Sequence, residues 1–359
     1  MNLFMTESRL CVITFDEKDQ WNRIVKRFHQ FDVYYLHEYV SAFVVHGDGV
    51  PLLFYYKDEH IEAMNVVMKR DISTDTRFTN KIPSESFYDF ITPYGYGGFL
   101  IEGTPSNESI TELFNQYHSY CLNNGVISEF VRFHPVLNNS EVVKDFYELL
   151  PIGRTVMMDL SSPDVIWNNL ASDKKKKIRK AQKTGVEIYS GNAVQLIDEF
   201  IQMYKETMQK NNASNYYYFN KDFFRRILED LKDHCTIFYA VLDGKKIAMA
   251  IYFHINERIN CFLSASDVAY DSLAPTNLIM VEAALWGSQN HYKTLHMGGG
   301  LGGKEDRLFN YKIGFNKDST TQFIVGSKIY NEAIYNELVT IRNFERDNQP
   351  SFFFPLYRK

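Results

Sequence analysis

Apolar residues follow two spacings along the chain, one typical of helices and one typical of strands. Ile110, Leu113, Phe114 and Tyr117 fall on one helical face, which predicts a helix over 106–124. Ser106 or Asn107 is suited to cap its start, and Asn124-Gly125 to end it. The next residues, 126–133, alternate as in a strand, and Pro135 ends that segment. A helix followed at once by a strand is typical of a sheet covered by helices.

Two tight turns predict β-hairpins. Gly47-Asp48-Gly49 separates apolar runs at 43–46 and 51–56, and Asp243-Gly244 separates runs at 236–242 and 246–255. A further strand is predicted at 258–264. The remaining predicted helices cover 140–150, 163–184, 193–211, 221–232 and 277–289, and the remaining strands cover 153–160, 186–189 and 294–297. This order predicts an α/β fold (an α+β mixed sheet) whose second half repeats the arrangement of the first.

Composition and charge narrow the class of protein. The chain has 359 residues, 45% of them apolar and 23% charged, so most of it is expected to be globular. Its net charge of −5 argues against a dedicated nucleic-acid coat protein. We find no signal-peptide core and no apolar run of membrane-spanning length, and we interpret the four cysteines as reduced, buried thiols. The sequence therefore predicts a cytoplasmic location, with peripheral membrane contact left open.

A basic run at 174–183 holds seven cations. One interpretation is a solvated helix end whose lysines are stabilised by the negative C-terminal end of the helix dipole. The other is a site for the phosphate of a sugar nucleotide, a lipid pyrophosphate or tRNA, in which Arg179 makes the fork-shaped contact that lysine cannot make. The sequence leaves both open.

The glycine run Gly298-Gly299-Gly300-Leu301-Gly302-Gly303-Lys304 matches two phosphate-binding patterns by its glycine content alone. A P-loop requires Ser or Thr after the lysine, where this chain has Glu305, and no dinucleotide-type helix and acidic residue follow. The glycines predict unusual backbone angles or a close approach, and their N–H groups are candidates for an anion or oxyanion pocket. Two further candidate features are the helix start Ala274-Pro275-Thr276-Asn277, as an anion site, and Tyr216-Tyr217-Tyr218-Phe219, as a stacking surface. The ten histidines include no H-x-x-x-H pair, so we expect no metal site.

Several of these segments together resemble the Fem-type (FemAB-like) aminoacyltransferases of the GNAT acyltransferase superfamily. The matching segments occur in the family's order: Pro93-Tyr94-Gly95-Tyr96-Gly97-Gly98, Val131-Arg132-Phe133-His134-Pro135, the basic stretch 174–185, Tyr217-Tyr218-Phe219, and His296-Met297-Gly298-Gly299-Gly300 continuing into 306–315. The resemblance implies two tandem GNAT-like domains with an acceptor groove between them. The expected bounds are 1–157 and 158–327, the second domain carries the active site, and the tail 328–359 packs back on the first.

The resemblance also implies acyl transfer onto an amine and assigns candidate roles. Lys312 is the cation near the developing negative charge, Asp306 orients the amine, accepts its proton or caps the turn, and Tyr311 and Tyr217 are weaker hydroxyl donors. The co-substrate would be bound by Pro275, Thr276, Asn277, Gly298, Gly299 and Gly300. The acceptor would be bound by Arg179 and Lys180 through phosphate, and by Tyr94, Tyr96, Arg132 and Tyr218.

Three functions remain open at this point. The first, and the favoured one, is an N-acyltransferase that uses acyl-CoA (acetyl-CoA) on an amino sugar of a cell-envelope or surface-polysaccharide precursor. The second is an aminoacyl-tRNA-dependent transferase acting on a peptidoglycan precursor, favoured by the basic run. The third is a non-catalytic saccharide- or peptide-binding protein. The chain lacks the long helical arm of some Fem-type enzymes and the Q/R-x-x-G-x-G/A loop of CoA-dependent ones. The expected partners are a small-molecule or lipid-linked saccharide precursor and, for the second function, tRNA, but not DNA.

Overall fold

The structure is a computed structural model that describes residues 9–191, 196–342 and 353–359. In chain order its elements are β1 (Leu10–Thr14), α1 (Lys18–Val25), α2 (His37–His46), β2 (Val50–Lys57), β3 (Ile61–Asp71), β4 (Tyr88–Ile91), β5 (Leu100–Gly103), α3 (Asn107–Asn123), β6 (Val126–Arg132), β7 (Glu148–Asp159), α4 (Pro163–Asn169), α5 (Ser172–Lys183), β8 (Glu187–Gly191), α6 (Ile197–Lys210), α7 (Lys221–Arg225), β9 (Cys235–Leu242), β10 (Lys245–Ile255), β11 (Arg258–Ser266), α8 (Pro275–Gln289), β12 (Thr294–Gly298), α9 (Arg307–Ile313), β13 (Thr320–Ile329) and α10 (Glu332–Arg342). The predicted mixture of helices and strands is confirmed.

The chain forms two compact units, one of Met1–Pro151 with Ile324–Lys359 and one of Ile152–Phe323. In the first unit the strand order is β1-β2-β3-β4-β6-β13, with β5 on β3. In the second unit it is β7-β12-β11-β10-β9-β8. Each unit has an antiparallel meander, then one parallel pair (β4 with β6, β11 with β12), then an antiparallel strand. The two halves therefore repeat one topology, as the order of predicted elements indicated.

A helix crosses over between the strands of each parallel pair. In the first unit, the side chain of Ser106 caps α3 by accepting from the N–H of Ser109, and Ile110, Leu113, Phe114 and Tyr117 are buried as predicted. In the second unit, α8 is buried on most of its sides and packs on the core formed with β9 and β10. Parallel strands require such a crossover, because a tight turn cannot join them.

Three predicted elements are wrong. The run at 43–46 is the end of helix α2, because Gly47 has φ 94° and its N–H donates to the carbonyl oxygens of Phe43 and Val44, as at a helix C-cap. The segment 140–150 contains one short turn and then β7. The helix predicted over 163–184 is divided into α4 and α5, because Leu170 and Ala171 have extended backbone angles. The predicted helix at 193–211 begins outside the described residues, and Ile197–Lys210 is helical.

The C-terminal segment supplies part of the core of the first unit. Strand β13 pairs with β6 from Val325 opposite Arg132 to Ile329 opposite Ser128. The hydroxyl of Tyr330 donates to the buried carboxylate of Glu129 at 2.6 Å. Farther along, the hydroxyl of Tyr357, which is fully buried, donates to Asp89 at 3.2 Å. The unit is thus completed by residues that are distant in the sequence.

Candidate active site

The candidate site of the second unit begins where two parallel strands separate. Strands β11 and β12 are paired over only three residues each, the last pair being Asn260 with His296. Beyond that pair, β11 continues to Ser266 along β10 and β12 ends at Gly298 along β7. We call this opening the fork. Beyond this pair β11 and β12 are no longer paired with each other, although each keeps its other neighbour. Open sheets that contain parallel strands bind ligands at the carboxyl ends of those strands.

Helix α9 brings two predicted catalytic residues to the fork. Residues 307–313 form a helix, and Lys312 lies in its last turn. The ammonium of Lys312 donates to the carbonyl oxygen of Gly299 at 2.6 Å, next to the end of β12. The hydroxyl of the neighbouring Tyr311 donates to Oγ1 of Thr276 at 3.4 Å. Helix α9 therefore links the end of β12 to the first turn of α8.

Burial sets the protonation states around Lys312. It lowers the pKa of Lys312 and raises the pKa of Tyr311. Cys261 is the first residue of β11 beyond the last pair with β12, and burial raises the pKa of its thiol, although the charge of Lys312 acts in the opposite direction. The tyrosine and the cysteine are therefore neutral near pH 7, and a thiolate nucleophile is not formed at this position.

The carboxylate of Asp306 is occupied by backbone donors. One oxygen accepts from the N–H of Phe309 at 3.0 Å and caps α9, and the other accepts from the N–H of Leu301 at 3.0 Å. These hydrogen bonds lower the pKa of Asp306, first through Phe309. A carboxylate stabilised in this way is a weak base, so the geometry favours the capping role among the three that were considered.

The glycine run lies against β7. Gly298 has φ 71°, which favours glycine, and a Cβ on Gly299 would lie 2.7 Å from the carbonyl oxygen of Arg154. A Cβ on Gly300 would clash with the side chain of Asp306 and the backbone of Lys304. The glycines are therefore explained by close packing of the backbone against β7 and the α9 cap.

The first turn of α8 contains the other predicted co-substrate residues. Ala274 precedes it in the left-handed region, with φ 51°. Pro275 has no N–H, and the N–H of Asn277 is bonded to the carbonyl of Ala274 at 3.0 Å. A helix start normally offers its first N–H groups to an anion. In α8, two of the first three positions, Pro275 and Asn277, therefore offer no N–H group to an anion.

Sequence analysis missed Lys174 as an individual residue. Although it belongs to the basic run, it is 3% exposed, and its ammonium donates to Oδ1 of Asn277 at 2.9 Å. The same ammonium lies 3.7 Å from the centre of the Tyr311 ring and 4.4 Å from that of Phe315. Burial lowers the pKa of Lys174 to about 8, with a further contribution from the charge of Lys177. A periodic signal was present, because Lys174 shares a helical face with the buried Ile178 and Ala181.

The other basic residues chosen from the run are exposed. The guanidinium of Arg179 lies 5.2 Å from the ring centre of Trp167, and the ammonium of Lys180 donates to the carbonyl of Ser272 at 2.9 Å. Both stay accessible from solvent on the outer face of α5. Arg179 is thereby oriented by an aromatic surface while its N–H groups remain available.

Tyr217 and Tyr218 lie in the turn between α6 and α7. The ring of Tyr217 packs edge-on against that of Tyr216, with centroids 5.5 Å apart, and Tyr218 is exposed. This turn covers a cluster in which Phe219 stacks on Phe223. The described contacts of the two tyrosines belong to this cluster, and the structure places neither of them on Lys312.

The first-unit candidates surround the loop 93–98. Arg132 lies under the loop and donates to the carbonyls of Thr92 at 2.6 Å and Gly95 at 3.2 Å. The ring of Tyr94 stacks on Phe43 with centroids 5.8 Å apart, and Tyr96 is in edge contact with Tyr34 at 5.6 Å. Arg132 therefore fixes the loop backbone from below, which is a structural contact that the sequence did not predict.

The described part of the chain offers neither a metal-binding cluster nor a membrane-spanning helix. There, no group of three or more His, Cys, Asp or Glu residues is arranged to hold a metal ion. The helices of this part are too short or too polar to cross a bilayer.

Comparison with known proteins places the fork within a recognised domain. Residues 169–312 match the acetyltransferase (GNAT) domain family, a range that includes Lys174, the fork and Lys312. The chain is 24% identical over 171 residues to the UDP-N-acetylmuramoylpentapeptide-lysine N(6)-alanyltransferase of Weissella viridescens. That alignment covers 47% of this chain and 50% of the relative, so the chain spans about half the length of the curated relative that it matches.

Solved structures share the fold over about nine tenths of the chain. The crystal structure of FemX has a TM-score of 0.67 at 11% identity and covers 91% of this chain and 99% of its own. A tandem GNAT protein from the clavulanic acid biosynthesis pathway has a TM-score of 0.50 at 7% identity, over 90% of this chain and 99% of its own. The predicted class of fold, two GNAT-like domains in tandem, is confirmed. So is the resemblance to Fem-type proteins of the GNAT superfamily.

Proposed function

We propose that this chain, whose second unit carries the GNAT-type fork, is an amide-forming acyltransferase that moves an aminoacyl group from aminoacyl-tRNA to an amine of a peptidoglycan precursor. The observation that carries the proposal is the position of Lys312, on α9 and bonded to Gly299 at the mouth of the fork. The alanyltransferase of Weissella viridescens supports this substrate class, since its name specifies an alanyl group and a muramoyl-pentapeptide acceptor.

The chemistry requires few groups from the protein. The carbonyl of an aminoacyl ester is already activated, so the enzyme has to hold a neutral amine close to it and stabilise the oxyanion that forms. The amine nitrogen attacks the carbonyl carbon and forms the C–N bond, the C–O bond of the ester breaks, and the proton lost by the amine ends on the leaving oxygen, which becomes the ribose hydroxyl. Lys312 uses one N–H for Gly299 and has two left for the oxyanion. Tyr311 is neutral, and because its single O–H donates to Oγ1 of Thr276, its part in the proposal is to anchor α9 to α8.

Two features support aminoacyl-tRNA as the donor: the start of α8 and the exposed basic face of α5. Pro275 and the bonded N–H of Asn277 leave the first turn of α8 poor in donors for a CoA pyrophosphate. The exposed cations of α5, Arg179 and Lys180 among them, suit phosphates of RNA or of a nucleotide-linked acceptor. Acceptor binding by Tyr94, Tyr96 and Tyr218 is part of the same proposal, with Arg132 contributing by fixing the loop that carries the first two. A cytoplasmic location also belongs to it, since charged tRNA is found there.

A second candidate is an acyl-CoA-dependent N-acyltransferase acting on an amino sugar of an envelope precursor. It is favoured by the family that residues 169–312 match, which is described as acetyltransferases. A third, a saccharide- or peptide-binding protein without catalysis, differs from both because it does not depend on Lys312.

The test is a transfer assay with the full chain. UDP-N-acetylmuramoyl-pentapeptide is offered with tRNA charged with labelled alanine, and in parallel a UDP-linked amino sugar is offered with acetyl-CoA. We expect labelled amide product with the charged tRNA, strongly reduced by added salt. Product formed only with acetyl-CoA would support the second candidate instead. Binding of the acceptor without product from either donor would support the third.

A further inference from the structure

Lys174 occupies a position where a lysine is expensive to bury. Its ammonium is removed from water, and on its own helix it faces one repelling charge, Lys177, and one attracting charge, Asp173. It donates to the amide oxygen of Asn277 on α8. It also lies against the rings of Tyr311 on α9 and of Phe315, which follows that helix. A methionine of nearly the same volume would fill this space without the cost of burying a charge.

The backbone around Lys174 is adapted to its side chain. A Cβ on Gly314 would lie 2.7 Å from Cε and 3.3 Å from Cγ of Lys174. Gly314 has φ −66° and ψ −12°, ordinary helical angles that alanine adopts more readily than glycine. Its lack of a side chain is therefore explained by space for the lysine stem and not by backbone conformation.

The contacts of Lys174 lie on the first turn of α8 and on the helix that carries Lys312. Asn277 is in the first turn of α8, and Tyr311 directly precedes Lys312 on α9. The two elements are also joined by the hydrogen bond between Tyr311 and Thr276. The cation of Lys174 thus links α5, α8 and α9 at the one turn of α9 that carries the ammonium of Lys312.

We propose that Lys174 is a positioning residue for acyl transfer: its buried ammonium, clasped by Asn277 and Tyr311, holds α9 so that Lys312 stays directed at Gly299 and the fork. This inference rests on the proposed function for its catalytic readout. Lys174 does not need to touch either substrate, since it acts through Tyr311 and the helix that follows. An apolar residue would fill the space but would not hold the Tyr311 face and the Asn277 amide together.

The test compares K174M, K174R and G314A with two controls. K293M changes an exposed lysine paired with Glu257, and G191A adds a methyl group where no atom lies within 4 Å. The first readout is the rate at which Lys312 is reductively methylated, followed by mass spectrometry between pH 7 and 10. We expect labelling several-fold faster in K174M and G314A, intermediate in K174R, which keeps the charge in a larger group, and unchanged in the controls. Wild-type Lys312 should also show a step near pH 8, where Lys174 loses its proton, and K174M should lack it.

The second readout is turnover of the full chain at saturating donor. We expect kcat to fall about 10-fold in K174M with KM nearly unchanged, because one oriented contact in the transition state is weakened. K174R should recover part of the loss, because it keeps a cation at this position but its guanidinium differs from the ammonium in size and hydrogen-bond geometry. The thermal midpoint of K174M should equal or exceed that of the wild type.

The outcomes separate this inference from the proposed function. If the wild type transfers no acyl group from any donor, the labelling result still decides the role of Lys174. Identical Lys312 labelling in K174M and the wild type would overturn the inference. A lower thermal midpoint in K174M with unchanged labelling and kcat would do the same, since it would assign Lys174 a structural role alone.

Discussion

The ammonium of Lys312 and the carbonyl oxygen of Gly299 are joined by a hydrogen bond of 2.6 Å. This bond fixes the cation at the end of β12, where the strand has just parted from β11. A lysine held by one N–H and free to donate with two others is suited to stabilise a charge that appears only in the transition state.

Replacement of Lys312 tests the transfer reaction directly. We expect K312A to lower kcat by at least ~10²-fold, the scale of losing one oxyanion donor, with binding of the acceptor largely kept. Single-turnover kinetics with the charged donor measure the loss, and K293M is the matched control. A K312A protein with wild-type turnover would exclude this role for the lysine.

Asp306 should behave as a cap. We expect D306A to destabilise the chain by about 1 kcal/mol through loss of the cap of α9, and D306N to keep most of the turnover because its amide oxygen still accepts. The carboxyl pKa is lowered in the folded state, so its contribution to stability is present at neutral pH. That contribution is lost as the pH falls below the unfolded pKa of about 3.9 and through the folded pKa.

Acid unfolding of the wild type and D306N measures that difference. The two curves should converge at low pH, where the wild-type carboxyl is protonated. A D306N protein that folds normally but loses turnover as strongly as K312A would instead give Asp306 a role in proton transfer.

Arg179 should act on phosphate. Its guanidinium is exposed and oriented over Trp167, so R179A should raise KM about 10-fold for a nucleotide-linked acceptor, a value at the lower end for hydrogen bonds to charged groups. R225A, an exposed arginine on α7, is the control. Equal effects on nucleotide-linked and phosphate-free acceptors would show that Arg179 does not bind phosphate.

Because of Lys174, we expect the free energy of unfolding to change with pH in the alkaline range. Its folded pKa of about 8 lies below the unfolded value of about 10.4, so the unfolded state binds more protons between these values. The free energy of unfolding contributed by this residue therefore rises as the pH is raised from about 8 to about 10.4. Chemical unfolding of wild type and K174M at several pH values isolates this contribution, and a pH-independent difference between them would contradict it.

The elements with strong periodicity were predictable from sequence, and α2 shows why others were not. In α3 the apolar residues fall on one face, and the capping serine is local to the helix. In α2, Tyr39, Val40, Ala42 and Phe43 are buried around most of the helix, so no polar face marks the period. A short apolar run next to Gly47 then has the same pattern as a strand before a turn.

The candidate site shows a similar division. Lys312 and Asp306 were assigned through the resemblance of the continuous segment 306–315 to Fem-type proteins, and both lie on or at the start of α9. Lys174 was not identified, because a run of seven cations is normally solvated. Its role depends on Asn277 and Gly314, which are more than a hundred residues away in the chain. Local patterns do not contain that information.

The divided first unit has a consequence for the order in which the protein is made. The second unit, Ile152–Phe323, is one continuous range of the chain. The first unit is complete only after β13, Tyr330 and Tyr357 have been synthesised. Until then the carboxylate of Glu129 lacks one of its tyrosine donors, and β6 lacks its antiparallel neighbour. The later-synthesised unit is therefore able to finish folding first, which leaves the nascent first half as the part that most needs protection from aggregation.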